Sequence, residues 1–254
     1  MRQWRGPDDS YWVIGFDKFD FLKFLDDAMP KILGIKVDNL TMEKALRKVE
    51  GFLEDGQQHY IVTPNPEFLV QAQKDQEFKT ILNQADLALP DGIGLILAAR
   101  FLGRPLKQKV AGTDLMEKIC RRAAQKKWPV FLMGGQAGVA QKAGENLKKK
   151  YQGLEILSAE DVTFGRPAIL FVAFGAPKQE KWIVQNLRKM PSVKLAMGVG
   201  GAFDFMAGRV RRAPKLFQRF GLEWLWRLFC QPWRIKRIFK AVVVFPWLVI
   251  KGRA

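Results

Sequence analysis

A chain of 254 residues, 48% hydrophobic and 26% charged, has the composition of one large globular domain or one domain with appendages, which excludes disorder over most of its length. Its formal charge of +17 is uneven: residues 209–254 hold twelve Lys/Arg against the single acid Glu223, together with four of the eight tryptophans, Trp224, Trp226, Trp233 and Trp247. A mildly basic domain with a strongly basic aromatic end suits an anionic partner, and two isolated cysteines, Cys120 and Cys230, exclude a disulfide framework and point to a reducing compartment.

Residues 1–30 are aromatic-rich, lack the apolar stretch of a secretory signal and read as an N-terminal extension. From residue 31 onward, apolar runs alternate with helical patterns. Strand-like runs are ILGIKVD (32–38), HYIVTPN (59–65), ADLALPD (85–91), PVFLMGG (129–135), LEILSA (154–159), AILFVAFG (168–175) and KLAMGVGG (194–201). Helical periodicity marks 41–55, 66–83, 113–127, 136–150 and 177–190, with Thr41 and Thr113-Asp114 as helix starts. Strands this apolar, separated by helices, imply an α/β, Rossmann-like, mostly parallel sheet covered on both faces over 31–208. Ligand sites then gather at the strand C-terminal ends.

The composition shifts near Gly208, and 209–254 reads as a helical, basic, amphipathic appendage. In PKLFQRFGLEWLWRLF, Lys215, Arg219, Glu223 and Arg227 recur every four residues as one polar strip, with Phe217, Phe220, Trp224 and Leu228 opposite. Pro232 ends that helix, and a basic stretch then leads into an apolar one interrupted by Pro246. The apolar run is too short to span a bilayer, so the expected role is interfacial: Trp and Phe at the headgroup boundary, Arg and Lys on anionic lipid. The alternative is a C-terminal helix docked on the core with a solvated charged face.

Five strand ends carry polar or glycine-rich loops. These are Thr63-Pro64-Asn65-Pro66-Glu67, Pro90-Asp91-Gly92-Ile93-Gly94, Gly134-Gly135-Gln136-Ala137-Gly138, Phe174-Gly175-Ala176-Pro177-Lys178-Gln179-Glu180, and Gly198-Val199-Gly200-Gly201-Ala202-Phe203-Asp204. The GGQAG loop at a helix N-terminus could cradle a phosphate, although glycines also serve tight turns. It matches neither a dinucleotide fingerprint nor a Walker motif. Asp91, beside apolar walls, is a candidate general base; the competing role is N-cap of the helix from Gly92. The single histidine, His59, is the only residue that could serve a His-based triad and rules out multi-His metal sites, and there is no Asp-x-Asp pair. Leaving-group charge must fall to arginines, lysines and backbone dipoles.

These blocks together resemble the WecG/TagA/CpsF family of bacterial glycosyltransferases. The resemblance runs from about Ile32 to Arg237 through ILGIKVDNLTMEKAL, TPNPEFL, LPDGIGL, VAGTDLM, FLMGGQAGVA, VAFGAPKQEKW, GVGGAFDFMAG and VRRAPKLFQRFGLEWLWRLFCQPWRIKR. It implies an inverting transfer, without metal or cofactor, of an N-acetylmannosamine-type sugar from UDP to N-acetylglucosamine on undecaprenyl diphosphate. The products feed teichoic acid or related surface polymers. Residue by residue, it implies Asp91 as base with Thr63 and Asn65 lining the same pocket. Gln179 and Asp204 would position the sugars, Gly134, Gly135 and Gln136 would hold the nucleotide, and Asp114 and Gly175 would also contact substrate. Arg212, Arg227, Arg234 and Arg237 would close over the diphosphate and reach the lipid. One departure is Lys109, where an arginine is expected; lysine lacks the bidentate fork. The implied location is cytoplasmic, peripheral on the inner face of the plasma membrane. A homo-oligomer is compatible with this reading, and no nucleic acid is expected among the partners. Two rivals remain: a dinucleotide enzyme on the same layered fold, which the missing glycine fingerprint disfavours, and a nucleic-acid-binding protein, which only the basic tail supports.

Overall fold

A computed structural model describes residues 30–157 and 166–252. The N-terminal extension up to residue 29, and the end of the run expected over 154–159, lie outside the described residues. The run expected as one strand over 32–38 is instead a hairpin. β1 (Lys31–Ile32) and β2 (Ile35–Lys36) pair antiparallel, apart from the main sheet. Leu33 (φ 51°) and Gly34 (φ 75°) both occupy the left-handed region, the geometry that reverses a two-residue hairpin.

α1 (Met42–Glu54) starts at Thr41, whose hydroxyl accepts the Lys44 N–H, a cap contributing about 1 kcal/mol. After β3 (His59–Val62) the helix expected over 66–83 divides into α2 (Pro66–Ala72) and α3 (Gln76–Gln84). Asn65 caps the first, with Pro66 in its opening turn; Asp75 caps the second by accepting the Phe78 N–H. Asp75 therefore starts a new helix inside an apolar pattern that periodicity alone carries through. Then follow β4 (Leu87–Ala88), α4 (Ile93–Phe101), α5 (Gly112–Lys126), β5 (Val130–Gly134), α6 (Val139–Lys150) and β6 (Ile156–Leu157). The domain closes with β7 (Ala168–Ala173), α7 (Lys178–Asn186), β8 (Val193–Gly198) and α8 (Ala202–Met206).

The six long-range strands pair in parallel in the order β4-β3-β8-β7-β5-β6. All six residues of β7 are buried, as a strand covered on both faces requires. One face packs on α1, α5, α6 and α8 through Val49, Ile119, Leu147 and Phe203. On the other, Phe68, Phe78 and Leu95 gather α2, α3 and α4, while Ile183 brings in α7. The chain thus leaves β3 for one face and β8 for the other. Adjacent strands that send their connections to opposite faces open a crevice at their C-terminal ends.

The appendage is helical, but its first part is not one helix. α9 (Lys215–Arg219) and α10 (Glu223–Cys230) are separated at Gly221 (φ 71°), so the single helix expected to carry a four-residue polar repeat is interrupted there. Any Cβ at Gly221 would come within 2.7 Å of Ile93, so glycine lets the appendage press directly on the start of α4. α10 ends just before Pro232, as expected; Pro232 opens a single 3-10 turn, and α11 (Ile235–Phe239), a π turn (Lys240–Val244) and α12 (Phe245–Lys251) then run on through Pro246. The π turn lies just ahead of Pro246, where the missing proline N–H interrupts the helical ladder. No described helix is long and apolar enough to cross a membrane.

The alternative of a core-docked C-terminal helix holds for one face of the last helix. Phe245 and Val249 are buried in the same cluster as Val62, Leu69 and Leu95. Trp247 and Ile250 of that helix are 57% and 60% exposed, and Phe229, Trp233 and Phe239 stand out beside them. One face completes the core; the other is bare apolar surface.

Candidate functional site

A pocket of about 550 Å3 lies between the C-terminal ends of β3 and β4 and the appendage. Of the expected site residues, Asn65, Asp91, Arg227, Arg234 and Arg237 line it together. Asp91 N–H donates to the Pro64 carbonyl at 2.8 Å, which ties the two loops. Its carboxylate accepts the Gly112 N–H at 3.2 Å, at the first residue of α5. It does not cap α4; Gly92 does so with no side-chain bond. Burial holds the Asp91 carboxyl above the usual carboxylate range, and the Gly112 N–H, Arg227 and Lys109 offset this only in part. A carboxylate made more basic at the wall of a pocket is suited to accept a proton.

Thr63 is buried under the same turn: a Cβ on Gly112 would meet its hydroxyl at 2.9 Å. Asn65, which also lines the pocket, accepts the Phe68 N–H with its Oδ1. Across the pocket, Arg237 Nε meets Glu67 Oε1 at 2.7 Å, and the Arg227 guanidinium lies 4.9 Å from the Phe205 ring centre. Arg234 sits beside Gly201, where a Cβ would be 3.6 Å from its Nη2 and 3.7 Å from Asp204 Oδ2. The Nε of Arg234 is buried without a partner. Burial, then the neighbouring Arg227 and Arg237, push its guanidinium down to about 10. Crowded, desolvated cations with an unused buried donor form a site that an anion would relieve.

The other expected residues surround this centre. Gly134 (φ 94°), Gly135 (φ 80°) and Gly138 (φ 75°) shape the turn into α6, and Gln136 accepts from Arg209 at 2.9 Å. Arg212 grips the Asp114 carboxylate, and its Nε lies 3.7 Å from Glu223. Gln179 is buried: its Oε1 accepts the N–H groups of Gly175 and Gly200 at 3.1 and 3.0 Å, and its Nε2 donates to Glu180 Oε1 at 2.7 Å. Its amide thus joins the β7 and β8 loops instead of facing the pocket. His59 begins β3, at the end of that strand away from the pocket, within 3.0 Å of carboxylate oxygens of Asp55 and Asp86.

Three contributors stand outside the expected site residues. Lys109 lines the pocket and meets Glu223 Oε2 at 3.0 Å. Glu223 was visible as the sole acid of a cationic tail, a signal that it has a specific partner. Glu180, 1% exposed, is held up at about 7 by burial, with one carboxyl oxygen unpaired. The third is an apolar half of the pocket along α4, hidden because an apolar helix reads simply as core.

The sequence pattern of the "Glycosyl transferase WecG/TagA/CpsF family" matches residues 30–254, so the match includes the whole appendage. A Bacillus spizizenii protein named "N-acetylglucosaminyldiphosphoundecaprenol N-acetyl-beta-D-mannosaminyltransferase" is 35% identical over 199 residues, covering 74% of this chain and 77% of its own. A Staphylococcus aureus (strain MRSA252) protein of the same name is 31% identical over 240 residues, covering 89% of this chain and 94% of its own. The chain belongs to the WecG/TagA/CpsF family of glycosyltransferases.

Proposed function

We propose that this chain transfers an N-acetylmannosamine-type sugar from a UDP-sugar to N-acetylglucosaminyl-diphospho-undecaprenol, with inversion and without a metal ion, in the synthesis of teichoic acid or a related surface polymer. The observation that carries this reading is one pocket that sets a basic carboxylate, Asp91, opposite Arg227, Arg234 and Arg237. In the proposed step Asp91 takes the proton of the acceptor hydroxyl while that oxygen forms its bond to the anomeric carbon. The bond from that carbon to the UDP oxygen breaks on the opposite side, and UDP leaves with the electron pair. The transition state is oxocarbenium-like. Positive groups fixed in advance stabilise the departing charge with little reorganisation. The turn from Gly134 to Gly138 and the loops tied by Gln179 are the proposed nucleotide side, and the arginine cluster the diphosphate side.

The donor set favours a metal-free route. Glu67 is paired with Arg237 and Glu223 with Lys109, and no cluster of three or more His, Cys, Asp or Glu among the described residues suits a cation. The exposed Phe229, Trp233, Phe239 and Trp247, set among Arg and Lys, support docking on an anionic membrane at its cytoplasmic face.

The test is product analysis with a panel of UDP-sugars and a synthetic prenyl-diphosphate N-acetylglucosamine acceptor, with and without chelator. A disaccharide of inverted anomeric configuration, formed equally in chelator, is expected. A retained configuration, dependence on added metal, or no transfer from any donor would each overturn part of the proposal.

A further inference from the structure

We propose that the trough between α4 and the C-terminal helix is a hydrocarbon subsite that holds the first isoprenoid units of the acceptor lipid. The pocket is polar at one end only. On α4 its wall is Gly94, Leu97, Ala98 and Phe101, a single face of the helix. Facing it are Ala241, Val242, Phe245 and Val249, again a single face. Both helices start beside the charged end, α4 next to Asp91 and the C-terminal run next to Arg234, and both continue away from it. α4 has nine residues, so this apolar wall extends about 12 Å beyond the charges at 1.5 Å per residue.

Two observations say that something apolar belongs there. α4, with the sequence IGLILAARF, is apolar nearly all round, a composition that calls for cover on every side. Leu97 is nevertheless 57% exposed, and Val242 across from it is 41% exposed. Gly94 lets the start of α4 lie directly on Pro66 at the charged end, where a Cβ would press to 2.6 Å from Pro66 and 3.8 Å from Phe245. The charged end selects the occupant. Arg227 and Arg234 form no ion pair among the described residues, and Arg234 keeps a buried donor unused. A ligand that fills both halves carries a diphosphate on a flexible hydrocarbon chain. A fatty acid or a plain phospholipid would present one anionic group to three arginines.

This subsite rests on the acceptor reading above, and the experiment separates the two. Calorimetric titration of the full chain, free of vesicles and detergent, compares farnesyl diphosphate with inorganic diphosphate. Farnesyl diphosphate is expected to bind at least tenfold tighter. Leu97→Gln, at an exposed position, and Ala241→Trp, which fills the trough, are each expected to reduce that ratio severalfold or more. In transfer assays the same variants should lower the kcat/KM ratio of a farnesyl-linked over a methyl-linked N-acetylglucosamine diphosphate acceptor. Equal affinity for the two diphosphates, or unchanged ratios in both folded variants, would overturn the subsite. Preferential farnesyl diphosphate binding without transfer to any acceptor would leave the subsite standing and remove the transferase reading.

Discussion

Lys109 and Glu223 meet at 3.0 Å across the seam between the α/β domain and its appendage, both at the wall of the pocket that contains Asp91. Lysine stands where the family resemblance leads one to expect arginine, and here its single ammonium is engaged by the only acid of the tail. Both side chains are 23% exposed. Such a pair contributes little to global stability, about 1 kcal/mol or less, but it can fix where the appendage sits. Lys109→Ala is expected to leave Tm within a few degrees and raise KM for the lipid acceptor severalfold. The charge-reversed double variant, Lys109→Glu with Glu223→Lys, should recover part of the loss. Steady-state kinetics on the three proteins checks this; a fall confined to kcat would argue against a closing role.

Asp91→Asn keeps the size of the side chain and its acceptor for the Gly112 N–H while removing the base. The expected loss in kcat is about 10²–10⁴-fold, with the thermal transition essentially unchanged. Near-normal turnover would remove Asp91 from the mechanism.

The same carboxyl sets an acid limb. The base works ionised, so activity is present above its pKa and is lost as pH falls through it. Burial raises that pKa, so the limb should lie above the value of about 3.9 of a free Asp. Arg227 pulls it down, so Arg227→Gln should move the limb to higher pH as well as lowering the rate. A pH profile of kcat/KM in both proteins is the measurement, and a limb that stays in place would show that another group is titrating.

Glu180 gives a separate signature in stability. Its carboxyl is held at about 7 in the fold against an ordinary 4.5, so the fold binds a proton that the unfolded chain has released between those values. Stability therefore falls as pH rises through that window, by an amount on the order of 3 kcal/mol, and the cost persists above it. Glu180→Gln should flatten the dependence of Tm on pH between 5 and 8. Gln179 Nε2 finds a side-chain oxygen to donate to in either protein, so its Oε1 should go on accepting the Gly175 and Gly200 N–H groups and loop geometry should survive. A variant with the same pH slope as the parent would assign the dependence elsewhere.

Much of this arrangement was legible in the sequence. Apolar runs bounded by helical periodicity gave the six parallel strands, and the loops that follow them gave Asn65, Asp91 and the strand-end position of the site. What failed was local. A two-residue turn with both φ values positive, a cap at Asp75 and a glycine break at Gly221 each depend on one residue inside a pattern that averages over many. Chemistry at longer range was also hidden. Nothing in sequence spacing brings Lys109 to Glu223 or turns Gln179 inward onto two loops, because those contacts are set by where the sheet and appendage meet.

The divided last helix has a practical consequence for anyone handling this enzyme. Cutting the tail away to make a better-behaved protein would unroof the domain, because Phe245 and Val249 fill its interior. Solubility has to be sought by repainting instead. Polar replacements at Trp233, Phe239 and Trp247 would change only the outward surface. They would leave the inward ridge, and with it the pocket, intact for crystallisation or screening.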